Sequence, residues 1–265
     1  MATETNRWGS GRRLVAGAAV LALVLVACGD DGGSDAAAPE TTASSVIDPG
    51  DGGEYHPDLD PQSVVDRIDN EYLPYPPGAT WVYEGVSEDG LETIEVTVLD
   101  ERREVMGIDA VVVRDTVTVD GELVEDTHDW FTQDDEGNVW YLGEETAEYE
   151  DGEVVSTEGS WEAGVDGALP GIVMQADPEP GTAYRQEYDE GEAEDVARVE
   201  RTGESVTVAG REYTNVVVIR EWNPFEPEVI EDKSYAPGVG AILEEQVAGG
   251  DERVELVEHT PGPTG

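Results

Sequence analysis

The chain has 265 residues, of which 62 are Asp or Glu and 14 are Lys or Arg, so its formal net charge at pH 7 is −48. Electrostatic repulsion from phosphate groups excludes nucleic acid as a partner and disfavours adsorption to anionic lipid head groups. Cys28 is the only cysteine, which excludes an intrachain disulfide, a thiolate zinc site and a cysteine nucleophile in the folded region. The acidity predicts a hydrated, soluble surface, and the alternative is divalent-cation binding by acidic loops.

Residues 1–27 carry the parts of an export signal. Three arginines form a positive start, and an apolar run at residues 14–26 follows that is shorter than the ~20 residues of a spanning helix. The run ends in Leu25-Val26-Ala27-Cys28, which resembles the bacterial lipobox. That resemblance implies cleavage after Ala27, a diacylglycerol thioether on Cys28 and anchoring at the extracytoplasmic face of the cell membrane. The alternative is an ordinary signal peptide in which Cys28 has no role.

Two segments precede the predicted sheet. Residues 28–59 are rich in Gly, Ser, Thr, Pro and Asp, and this composition predicts a disordered tether because it cannot bury enough apolar surface to fold. Asp60 and Pro61 then resemble the first positions of a helix, and Val64, Val65 and Ile68 follow at helical spacing. The pattern predicts one short N-terminal helix.

Residues 60–260 are predicted to form a single β domain. Apolar residues alternate with polar ones along many short segments, and turns that contain Gly separate these segments at regular intervals. Such alternation predicts an all-β protein, with an antiparallel curved sheet that forms a half-barrel or a barrel.

Residues 76–145 and 179–245 are similar to each other. Pro77-Gly78-Ala79-Thr80-Trp81 matches Pro180-Gly181-Thr182-Ala183-Tyr184, and further matches follow in the same order. These matches predict two duplicated halves. The alternative is chance similarity in a chain rich in Val, Gly and Glu.

The hairpin at residues 120–143 concentrates candidate chemistry, because His128, Asp129 and Trp130 lie together on it. His128 beside Asp129 resembles an oriented general base, but a strand histidine with one acidic neighbour is more often a surface hydrogen-bond partner. The turn at residues 133–138 lacks the ligand spacing of a calcium loop, so we interpret it as a structural turn. The sequence predicts no catalytic residue, no metal ligand and no cofactor.

Residues 159–174 form a long apolar stretch with several Gly and Pro residues. We expect this stretch to cover the open edge of the curved sheet, and the alternative is the mouth of an apolar pocket. The candidate ligand contacts are the aromatic residues of the predicted sheet together with the hairpin histidine. They are Trp81, Trp130, Trp140, Trp161, Tyr184 and His128.

Four sequence blocks resemble a group of bacterial secreted proteins and lipoproteins that is common in high-GC Gram-positive bacteria. The blocks include Pro77-Gly78-Ala79-Thr80-Trp81, Glu125-Asp126-Thr127-His128-Asp129-Trp130, Ser160-Trp161-Glu162-Ala163-Gly164 and Tyr235-Ala236-Pro237-Gly238. The resemblance covers residues 65–258 and implies the domain limits and the location. The group has no established activity to carry over to this chain.

The sequence therefore predicts a monomeric, lipid-anchored surface protein that is not an enzyme. Its curved sheet would bind an apolar ligand or a partner in the cell envelope. One alternative is a structural or protein-interaction lipoprotein without a pocket. A less favoured alternative is a hydrolase, which would require His128 beside a buried Ser or carboxylate in a cleft.

Overall fold

A computed structural model describes residues 55–87 and 90–263. Every helix or strand assigned in these ranges is a β-strand, and all named strand pairs are antiparallel, so the predicted all-β class with an antiparallel curved sheet is confirmed. The signal peptide, Cys28 and residues 28–54 of the predicted tether lie outside the described residues. None of the described segments forms a helix long and apolar enough to cross a membrane.

The first nine strands lie between residues 64 and 174. They are β1 (Val64–Val65), β2 (Thr80–Ser87), β3 (Gly90–Val105), β4 (Ile108–Val119), β5 (Glu122–Asp134), β6 (Val139–Glu150), β7 (Glu153–Ser156), β8 (Trp161–Glu162) and β9 (Leu169–Met174). The remaining strands are β10 (Ala183–Arg185), β11 (Glu187–Tyr188), β12 (Val196–Val208), β13 (Arg211–Trp222), β14 (Ile230–Ala236), β15 (Gly240–Ala248) and β16 (Arg253–Thr260).

The sheet curls until its two ends meet. Its neighbour order is β10-β12-β13-β14-β15-β16-β2-β3-β4-β5-β6-β9-β11. The end strands β10 and β11 are separated in the chain by Gln186 alone, and a Cβ atom at Gly171 of β9 would lie 2.0 Å from the backbone oxygen of Gln186. The result is a nearly closed barrel.

The two predicted halves have the same strand plan. Strands β2 to β6 form one antiparallel meander, β10 and β12 to β15 form another, and β16 joins them. Each meander starts with a Pro-Gly turn, closed by a hydrogen bond from Ala79 N to Pro76 O in one and from Thr182 N to Glu179 O in the other, both 3.1 Å long. This is the arrangement that the duplication predicts, and the duplication itself stays a prediction.

The predicted N-terminal helix is wrong. Asp60 does cap a turn, since its Oδ1 accepts a hydrogen bond of 2.8 Å from Gln62 N, but the chain then extends, and Val64 and Val65 pair with Asp134 and Gln133 at the end of β5. A helix this short is only marginally stable by itself. Pairing with the end of β5 instead gives the backbone hydrogen bonds and side-chain contacts of a β-ladder.

The ordered domain begins before the predicted boundary at residue 60. Tyr55 is buried, its hydroxyl donates a hydrogen bond of 2.8 Å to Pro170 O, and its ring packs against Tyr188 at 5.3 Å between centroids. The end of the segment that leads from Cys28 is therefore fixed on the β9–β11 side of the barrel.

Residues 159–174 form part of the barrel wall. Strands β8 and β9 both pair with β6, and Trp161, Ile172 and Met174 are buried. The stretch therefore continues the sheet beyond β6 and brings β9 to the closing strand β11.

We expect Gly171→Ala to destabilise the fold by about 3 kcal/mol or more, because the added methyl group overlaps backbone that has no free space to move into. Urea denaturation measures the change. Gly152→Ala is the control, since Gly152 has a positive φ of 78° but open space around its Cβ position, and its cost is about 1–2 kcal/mol. Equal losses in the two variants would contradict the closure at Gln186.

Candidate functional site

One acidic residue interrupts the apolar face of β4. Val113 and Val117 face the barrel interior, and Asp115 lies between them on the same face. Asp115 pairs in register with Val96 of β3 and with Thr127 of β5. Because side chains alternate along a strand, this register places its carboxyl group inside the barrel.

Other carboxylic acids surround this position. Neighbouring strands contribute acids at matching interior positions, and strands on the opposite side of the barrel contribute more. We call this set the acidic interior. It consists of Glu92, Asp115, Glu125, Asp129, Glu144, Glu187, Asp195, Glu221, Glu231 and Glu244.

Lys233, the only lysine of the chain, lies among these acids. Its Nζ is 2.7 Å from Glu221 Oε2 and 3.6 Å from Glu244 Oε2. Burial by itself lowers the pKa of this ammonium group, but the two carboxylates hold the pKa well above its usual range. The interior thus already stabilises one ammonium group.

The lysine cluster is mostly buried. The side chains of Lys233, Glu221 and Glu244 are 12%, 11% and 17% exposed.

The carboxyl group of Asp115 is not fully satisfied. Asp115 is 8% exposed, and its Oδ1 has no hydrogen-bond partner among the described residues. Burial raises the pKa of this carboxyl group well above its usual range, and the charges of Asp129 and Glu125 add to the effect. The groups that act on it include Glu244 and Lys233, which belong to β15 and β14, several strands away around the barrel. Asp115 therefore faces the lysine side of the interior.

Asp129 and Glu144 form a second feature of the acidic interior. They are cross-strand neighbours on β5 and β6, and the Tyr141 hydroxyl is 2.6 Å from Asp129 Oδ1 and 2.6 Å from Glu144 Oε2. A phenol has one proton and donates to one carboxylate at a time, so the arrangement favours a further proton shared by the acids. Burial raises the pKa of Asp129 to about 6 and the pKa of Glu144 well above its usual range.

Several other acids of the interior retain protons near neutral pH. Burial raises the pKa of Glu92 and Glu125 to about 7 each, and that of Asp195 to about 7. Burial followed by the charge of Glu244 raises the pKa of Glu231 to about 9. One buried lysine cannot neutralise this many acids, so protons neutralise part of the charge.

The carboxyl groups of the acidic interior are distributed around the wall. Within residues 55–87 and 90–263, no group of three or more His, Cys, Asp or Glu side chains is placed to hold a metal ion. Burial raises the pKa of the Tyr75 and Tyr83 hydroxyl groups, and Asp115 and Lys233 are among the charges that act on them. Carboxylates and aromatic faces together stabilise organic cations.

Three of the predicted ligand contacts are engaged within the protein. Trp81 donates a hydrogen bond of 2.7 Å from Nε1 to Val239 O and stacks on His259. The Arg103 guanidinium lies over the Trp130 ring, with its Cζ atom 4.1 Å from the ring centroid. Trp140 donates a hydrogen bond of 2.8 Å from Nε1 to Asp134 Oδ2 in the hairpin turn. All three tryptophans are buried.

Of the other three predicted ligand contacts, two are buried and one is on the surface. Trp161 packs edge-on against Tyr141, and its Nε1 has no hydrogen-bond partner among the described residues. Tyr184 is fully buried, and its hydroxyl also has no hydrogen-bond partner among the described residues. His128 instead lies on the outer face, 39% exposed, with Nδ1 3.9 Å from Asp126 Oδ1. The structure therefore brings Trp161 and Tyr184 next to the acidic interior and leaves His128 outside it.

Sequence reasoning missed Asp115, Lys233 and the glutamates that bind the lysine. One signal was present, since Asp115 occupies a position of β4 where alternation otherwise places valine. The only lysine of the chain, set in a strand, was a second signal. Neither signal reveals that the two residues face each other, because they belong to strands that are distant in the sequence.

No protein-family model and no curated protein matches this chain. A crystal structure of a candidate lipoprotein from Parabacteroides distasonis is similar, with a TM-score of 0.37 and 15% sequence identity over 72% of this chain and 100% of that chain. This degree of similarity is too low to support a conclusion about function.

The raised pKa values predict that the protein is more stable at pH 5 than at pH 8. Acids of the unfolded chain ionise near pH 4, whereas the folded interior keeps protons up to about pH 7 at Glu125 and about pH 9 at Glu231. The folded state binds more protons in this range, so the free energy of unfolding falls as the pH rises. Urea denaturation at matched ionic strength measures it.

Replacing a buried acid tests the cause. We expect Glu144→Gln to be more stable than wild type at pH 8 and to depend less on pH, because the amide cannot ionise. Glu145→Gln on the exposed neighbouring residue changes the net charge equally and should keep the wild-type pH dependence. The same pH dependence in both variants would assign the effect to overall charge instead of to the interior.

Proposed function

We propose that this protein is a lipid-anchored protein at the extracytoplasmic face of the cell membrane, and that it binds a small ligand inside its barrel without catalysing a reaction. The observation that carries the binding role is the polar interior of a nearly closed barrel, where Asp115 Oδ1 has no hydrogen-bond partner among the described residues. A buried oxygen without a hydrogen-bond partner lowers the stability of the folded protein unless a ligand donates a hydrogen bond to it. A site that costs stability is typical of function.

The anchor rests on the sequence. The apolar run before Cys28 and the lipobox-like residues Leu25-Val26-Ala27-Cys28 support lipidation, and stable attachment requires at least two acyl chains. The long acidic segment after Cys28 keeps the domain away from anionic head groups. We propose that the domain acts as a monomer.

The position of His128 supports a role without catalysis. A general base must lie within hydrogen-bond reach of its nucleophile, and His128 is on the outer face of β5, while the buried carboxyl groups face inward. This position counts against the hydrolase alternative, which requires His128 beside a buried Ser or carboxylate.

The side chains of the interior indicate which part of a ligand is apolar and where it would bind. The sequence predicted an apolar ligand held by aromatic residues, and Trp161 and Tyr184 support contact with an apolar part of a ligand. The alternative, a structural or interaction lipoprotein without a pocket, is distinguished by whether any small molecule enters the barrel.

We expect Cys28→Ser to release the protein into the medium, because the thioether anchor cannot form. Fractionation and labelling with radioactive palmitate measure the change. Ser44→Ala in the predicted tether is the control and should remain membrane-bound and labelled. Unchanged membrane association of Cys28→Ser would refute the anchor.

A binding panel tests the other half of the proposal. We expect at least one of decanoate, benzyl alcohol and benzylammonium to raise the melting temperature of the purified full-length protein and to alter hydrogen exchange at interior strands β4 and β14. No effect from any probe class at millimolar concentration would favour the structural or interaction alternative.

A further inference from the structure

We infer that the barrel interior selects a small organic cation, with an ammonium group that binds the Asp115 carboxylate on the side of the interior opposite Lys233. This inference rests on the proposed function and names its ligand class. The contacts of Lys233 and Asp115 in the acidic interior support it.

The ammonium group of Lys233 pairs with two carboxylates, those of Glu221 and Glu244, at N–O distances of 2.7 and 3.6 Å. Gln186 supports the first of them, because its Nε2 donates a hydrogen bond of 3.0 Å to Glu221 Oε1. The protein thus shows directly how this interior holds an ammonium group.

The opposite wall carries Asp115. This residue is nine-tenths buried and has an oxygen without a partner among the described residues, and the charge of Lys233 acts on its carboxyl group. Its closest titratable neighbours on β5 are also acids, Asp129 and Glu125, and Tyr141 and Thr127 already engage these two. Asp115 is therefore the free acceptor in a region of excess negative charge.

The charges of the interior discriminate between kinds of ligand. An anion would meet only Lys233, which two glutamates already occupy. An uncharged apolar ligand would bury Asp115 without a partner, at a cost comparable to a lost hydrogen bond to a charged group. A metal ion finds no group of three ligands in the described part of the chain. An ammonium group supplies both the donor and the positive charge.

Tyrosine rings supply the remaining contacts. Tyr75 and Tyr83 lie near Asp115 and Lys233 in the interior, and Tyr184 presents a hydroxyl without a partner among the described residues. Aromatic faces attract organic cations, and the attraction grows when water is excluded. The ligand class is therefore a primary or secondary amine with a small apolar body.

The test compares benzylammonium with benzyl alcohol, which has a similar shape and no charge. Isothermal titration uses the purified full-length protein in 0.3 M NaCl, where a monovalent probe has no charge advantage over sodium at the acidic surface. We expect saturable binding of benzylammonium and at least tenfold weaker binding of benzyl alcohol. Because binding favours the ionised form of Asp115, the heat should also depend on the buffer as a proton is released.

Asp115→Asn tests the acceptor, and Asp109→Asn is the matched control at an exposed position near the start of the same strand. We expect Asp115→Asn to weaken benzylammonium binding by about thirtyfold or more and to abolish the proton release. Asp109→Asn changes the net charge equally and should bind as the wild type does. If Asp115→Asn does not fold, the comparison of the two probes and the proton release on wild type still decide the question.

Some results would overturn the cation site alone, and others would overturn ligand binding by the barrel as a whole. Equal binding of benzylammonium and benzyl alcohol, equal effects of the two Asp→Asn variants, or binding of calcium without benzylammonium would each overturn the cation site. Saturable decanoate binding without benzylammonium binding would overturn the cation site and leave a ligand-binding barrel. No binding by any probe would overturn both.

Discussion

The ion pair of Lys233 with Glu221 and Glu244 is the contact on which the interior of this barrel depends. Ten carboxylic acids face a space that contains a single lysine, and desolvation makes each uncompensated charge costly. The structure meets this constraint with the lysine, with hydrogen bonds from Tyr141, Thr127, Gln186 and Asn223, and with protons retained by the acids. We propose that the charge that remains makes the interior selective for a cation.

The closure of the sheet brings the two sides of this space together. The first meander supplies Asp115, Asp129 and Glu144, and the second supplies Lys233, Glu221 and Glu244. Outside the barrel the two meanders carry a similar pair, with Arg114 bound to Asp126 and Arg220 bound to Asp232 through two hydrogen bonds each. These outer pairs are similar, whereas the interior of the second meander alone carries a lysine, so the two halves have the same strand plan and different interior groups.

The N-terminal segment is part of the same closure. Tyr55 binds Pro170 on β9, and the Arg185 guanidinium lies 4.9 Å from the Tyr188 ring centroid and 6.0 Å from that of Tyr55. The chain that leads from the predicted anchor therefore enters the domain where the two ends of the sheet meet.

The sequence determined the all-β class, the position of the hairpin at residues 120–143 and the strand plan of the two meanders, because period-two alternation and Gly turns are local signals. It misassigned Val64 and Val65, since helical spacing over one short segment does not compete with pairing to the end of β5. It also named His128 as a candidate ligand contact, although alternation alone places His128 and Asp129 on opposite faces. Only the tertiary structure decided which face is inside, and only closure of the barrel brought Asp115 opposite Lys233. The physical reason is that strand faces are set by the local chain, whereas contacts across a barrel depend on how many strands it has and where its ends meet.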